Sequence, residues 1–69
     1  MPERYIFEID GELSGELLAT FSPSDSAHRK GHTLFTCAVG DQAQVYGLIS
    51  RCEMLGLRLI GFSLISESA

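Results

Sequence analysis

The segment Asp41-Gln-Ala-Gln-Val-Tyr-Gly-Leu-Ile-Ser-Arg-Cys-Glu-Met-Leu-Gly56 decides the fold, because it reads as a helix marked at both ends and runs straight into Leu57-Arg-Leu-Ile-Gly-Phe-Ser-Leu-Ile65. Asp41 can accept hydrogen bonds from the free amides of the first turn. Gln44, three residues on, can reach back in a capping box, and Gly56 supplies the left-handed residue that ends the helix. Val45, Leu48, Ile49, Cys52 and Leu55 recur at spacings of three and four, forming one apolar stripe that should lie on a sheet. Ala43, Gly47, Ser50 and Met54 project from the other side as a smooth surface where bulky charged residues would be expected of a helix facing water. Gly47 in a helix interior costs about 1 kcal/mol relative to Ala, which invites a packing explanation.

Working upstream, Tyr5-Ile-Phe-Glu-Ile-Asp10 alternates as a half-buried strand does, with Tyr5, Phe7 and Ile9 on one face. Residues 16–21 alternate Leu17, Ala19 and Phe21 and predict a second strand, joined to the first through Gly11-Glu-Leu-Ser-Gly15. Residues 33–39 set Phe35, Cys37 and Val39 against Leu34, Thr36 and Ala38, a third strand. Residues 57–65 make the last strand, apolar on both faces, with Leu57, Leu59 and Ile65 on one and Ile60, Phe62 and Leu64 on the other. Such a strand wants cover on both sides. The expected architecture is α+β, β-β-β-α-β, a four-stranded mixed or antiparallel sheet with one helix packed on one face. The expected strand order is 4-1-2-3, with a right-handed crossover returning the last strand beside the first.

At 69 residues the chain reads as one domain, 1–69, with a thin core. A chain this short buries only about 60% of its unfolded surface, so burial against a partner would add stability. Cys37 and Cys52 both fall in apolar patterns and read as small buried hydrophobes, which together with the lack of a signal peptide suggests a reducing cytoplasm. A net charge of -4 and a pI near 4.9 argue against nucleic acid as a partner. No stretch approaches the roughly 18 apolar residues of a membrane span.

Positive charge is concentrated in His28-Arg29-Lys30 with His32 nearby, in a segment rich in turn residues that reads as a loop and could meet an anion or a partner. His28, His32 and the cysteines lack any recognised metal-ligand spacing, and no cofactor signature is present. Neither cysteine has the exposed, electropositive setting of a nucleophile. No residue is therefore assigned a catalytic role.

The residues Asp41-Gln42-Ala43, Gly47-Leu48-Ile49, Arg51 and Leu55-Gly56-Leu57 with Leu59-Ile60 resemble a family of small bacterial, chiefly actinobacterial, proteins whose C-terminal half reads DQAxLHGLLxxIRDLGLxLLSV. Gly11-Glu12-Leu13 and Thr33-Leu34 extend the likeness upstream. Tyr46 stands where that family usually has His, and Cys52-Glu53-Met54 where it has IRD-type residues. The resemblance names no reaction.

Two functional classes follow. The first is a noncatalytic interaction module that homodimerises through the uncovered sheet face, with Ile60, Phe62 and Leu64, or through the Ala43/Gly47/Ser50/Met54 side of the helix, and that can dock on another cytosolic protein. The second is a small-ligand binder or minor enzyme with a pocket at a subunit interface and Tyr5, Tyr46, His28 and His32 as its polar groups.

Overall fold

The computed structural model describes residues 3–65. The elements run β1 (Glu3–Asp10), α1 (Gly15–Ala19), β2 (Asp25–Arg29), β3 (His32–Val39), α2 (Gln42–Met54) and β4 (Arg58–Ile65). The four strands form one sheet in the order β2-β3-β1-β4, and every neighbouring pair is antiparallel. This is an α+β arrangement of the β-α-β-β-α-β, split-βαβ kind, in which β1 inserts between the strands that α2 connects.

The expected helix and three of the expected strands are present, and the last strand does return beside the first. The second strand is not where the alternation placed it. Residues 16–21 lie in and just after the short helix α1, whose N-cap Ser14 accepts from the Leu17 amide. The missing strand is β2, inside the segment read as a loop, so the order is 4-1-3-2 and not 4-1-2-3. Arg29 pairs with His32 across Lys30 and Gly31, whose φ values of 50° and 80° are those of a two-residue type I′ hairpin turn.

α2 ends as its sequence requires. The Asp41 carboxylate accepts from the Gln44 amide at 3.0 Å, while Gln44 Oε1 accepts from the Gly40 amide at 2.6 Å, one residue before the usual capping-box donor. At the other end Leu57 N–H donates to the Cys52 carbonyl and Gly56 N–H to that of Glu53, a Schellman motif with Gly56 at φ 74°.

Val45 and Cys52 of α2 are buried against the sheet, Leu48 and Ile49 are half-buried, and Leu55, assigned to the same stripe, is 44% exposed beyond its end. All four phenylalanines stack in one row across the strands: Phe21 on Phe35 (4.9 Å), Phe35 on Phe7 (5.3 Å) and Phe7 on Phe62 (5.9 Å between ring centroids). Thr33, fully buried, ties the β1–α1 connection to the core by accepting from the Leu13 amide and donating to the Gly11 carbonyl.

A β-bulge changes the faces of β4. Ile9 pairs with Leu59 and Glu8 with Gly61, so Ile60 is an extra residue and the alternation shifts by one. Phe62 and Leu64 consequently share the helix-side face with Leu59, Tyr5 and Phe7, instead of lying opposite Leu59 as strict alternation implied. The other sheet face mixes Ile6, Leu34 and Ile65 with Glu8, Asp10, His32 and Arg58.

Candidate association edge and ligand groove

The sheet has two edges of opposite character. β2 is five residues long, exposed throughout, and carries Asp25, His28 and Arg29. β4 is eight residues long, its only charge is Arg58, and Ile60, Phe62 and Leu64 are 47%, 46% and 49% exposed. Short strands and charges are how edges are protected from pairing with other chains, so β2 is blunted and β4 is left open apart from its bulge. The apolar strip continues onto the helix side. Tyr46, 64% exposed, stands beside Tyr5 and Phe62, with a hollow of about 70 Å³ between them that is far smaller than a ligand site.

The four polar groups of the pocket reading are not brought together. Tyr5 and Tyr46 share that hollow, whereas His28 and His32 lie on β2 and β3 toward the opposite edge. His28 Nε2 donates to the Leu13 carbonyl at 3.2 Å. His32 Nδ1 is 2.7 Å from Glu8 Oε2 and its Nε2 is 3.8 Å from Asp10 Oδ1. The cleft at this hairpin, about 210 Å³, sets Arg29 and Lys30 beside Glu8, so an anion entering it meets both signs of charge. Among the described residues no group of three or more His, Cys, Asp or Glu is arranged to hold a metal ion. Among them, too, no helix is long and apolar enough to cross a membrane.

Ala43, Gly47, Ser50 and Met54 are all exposed on α2, Met54 at 85%. Gly47 also borders a larger groove, about 340 Å³, between α2, the end of β3 and the turn after α1. Phe21, Cys37, Val39 and Leu48 give it an apolar lining, and Gln44, Ser22 and Arg51 are its polar groups. Arg51 Nη1 donates to the Thr20 carbonyl at 2.8 Å, which joins α2 to the end of α1. Sequence reading missed this groove because Phe21 and Arg51 are 30 residues apart and meet only when residues 16–21 form a helical turn.

Cys37 donates its thiol to the Phe21 carbonyl, and burial, with a smaller contribution from Cys52, pushes its pKa up. Burial also raises that of Cys52. Both are free thiols, held protonated and therefore poor nucleophiles.

No curated protein and no solved structure matches the chain. One family profile does, that of the domain of unknown function DUF8691, over residues 4–63. The match takes in β2, β3 and both helices whole, with β1 from Arg4 and β4 as far as Ser63, and the chain belongs to the DUF8691 family.

Proposed function

We propose that this domain is a noncatalytic cytosolic module that self-associates, two copies joining their β4 edges antiparallel across a two-fold axis into one continuous sheet. The observation that carries this reading is the contrast between the edges: β2 short, exposed and charged, β4 long with three half-exposed apolar side chains. An isologous contact suits an antiparallel edge, since a two-fold axis normal to the sheet pairs β4 with itself. The same axis brings the exposed parts of Phe62, Leu64 and Tyr46 toward their counterparts, removing apolar area from water at about 25 cal/mol per Å². Two free thiols in the core accord with a reducing compartment. The reading also takes DUF8691 to be the bacterial family that the α2 motif resembles.

Light scattering tests it with the wild-type chain, Leu64→Lys and the β2-edge control Ser26→Lys. The reading requires wild type and Ser26→Lys to share a mass of twice 7.5 kDa and Leu64→Lys to be a folded monomer. Equal masses for all three would sink it.

A further inference from the structure

Gly47 occupies the middle of α2, where glycine weakens a helix, yet a Cβ built on it meets nothing within 4 Å. Nothing inside the described fold calls for glycine at this point. Gly47 lines the groove of about 340 Å³, and without a side chain it adds nothing that would fill that space. That volume falls at the lower end of the range for small-molecule sites, which combine an apolar lining with a few placed polar groups.

We propose that this groove binds a small organic carboxylate, its short apolar tail against Phe21, Val39 and Leu48 and its carboxylate on the Arg51 guanidinium. Among the described residues Arg51 is the only formally charged one lining the groove, so the local field there favours an anion despite the net charge of -4. Its bond to the Thr20 carbonyl uses one of five N–H donors and holds the guanidinium at the rim, which lowers the ordering cost of binding. The planar fork matches a carboxylate in a bidentate pair. Cys37 takes no covalent part, since its thiol proton is donated to the Phe21 carbonyl. The groove is lined by β3 and not by β4, so occupancy does not depend on the association proposed above.

The test is amide-resolved NMR titration of the full chain with hexanoate and, separately, with neutral 1-hexanol. Hexanoate should give saturable shifts at Phe21, Gly47, Leu48 and Arg51, with 1-hexanol weaker by about tenfold or more for want of the charge pair. Arg51→Gln should bring hexanoate down to the level of 1-hexanol. Gly47→Leu, which places a side chain at the groove's lip, should abolish both with the helical circular dichroism retained. Absence of saturable shifts, shifts centred elsewhere, or equal affinity of wild type for the two probes would each overturn the proposal.

Discussion

Phe62 stacks on Phe7 at 5.9 Å and 23°, yet Phe7 is fully buried and Phe62 is 46% exposed, so one aromatic contact links the centre of the core to the open edge of the sheet. Phe62 thus has two environments. Its inner side belongs to the row of rings in the core, and its outer side is exposed on the edge strand proposed above to pair with a second copy.

Truncating an inner ring of this row and its outermost ring should therefore have different consequences. Phe35→Ala removes a ring that is 1% exposed and should cost about 3–5 kcal/mol, comparable with the total stability of so small a domain. Phe62→Ala should cost about half as much in dilute solution. On the proposed association its deficit should grow with protein concentration, since only a self-associating wild type gains from mass action. Urea denaturation at two protein concentrations checks both statements.

Thr33→Val should destabilise the domain by about 1–3 kcal/mol despite preserving shape. The substitution strands the buried Leu13 amide and the Gly11 carbonyl, which Thr33 Oγ1 satisfies at 2.9 and 2.8 Å. Thermal denaturation should register this as a fall in Tm of several degrees, on a scale of about 4–8 °C per kcal/mol. A Tm within a degree of wild type would mean that the loop finds other partners.

Gly47→Ala should have the opposite sign. The added methyl meets nothing within 4 Å and removes the helix penalty of glycine, a gain of about 0.5–1 kcal/mol. A rise in Tm would show that the native residue is not the one that stability favours here.

The thiols fix a dependence on alkaline pH. Burial raises the pKa of Cys37 and Cys52 in the folded state, so the folded chain holds protons that the unfolded chain has lost. Their contribution to stability is complete below the ordinary thiol pKa, about 8.5–9, and is lost as pH rises through the folded-state values. Denaturation midpoints should fall above that range, and alkylation by iodoacetamide under native conditions should proceed only as fast as the core opens.

Legibility in the sequence followed burial. The capped helix α2 and the strands β1 and β3 were readable because each buries an apolar face, which imposes a period on the residues, and β4 because its run is almost wholly apolar. β2 buries nothing: Asp25-Ser-Ala-His-Arg29 is an exposed edge paired on one side, so only the Lys30-Gly31 turn betrays it. α1 was mistaken for a strand because in five residues Leu17, Ala19 and Phe21 fit a period of two. Leu18 and Phe21, three apart and both buried, fit a helical turn just as well, and Ser14 with Glu16 is the capping signature that favours the helix. The bulge at Ile60 lies beyond any periodic reading, although Gly61 is the residue that marks it. For the site, Phe62 and Leu64 lie on the helix side of the edge strand and not on the uncovered sheet face, His28 and His32 have local partners away from Tyr5 and Tyr46, and the Arg51 groove needed the fold of α1 before it existed.

Hydrogen exchange of the two edge strands, followed by NMR as the concentration of the full chain is raised, tests the central claim most directly. If β4 pairs with its copy, its outward-facing amides will become progressively protected while those of β2 continue to exchange rapidly, and Leu64→Lys will abolish the protection. Outward β4 amides that exchange as fast as those of β2 at every concentration would contradict the account.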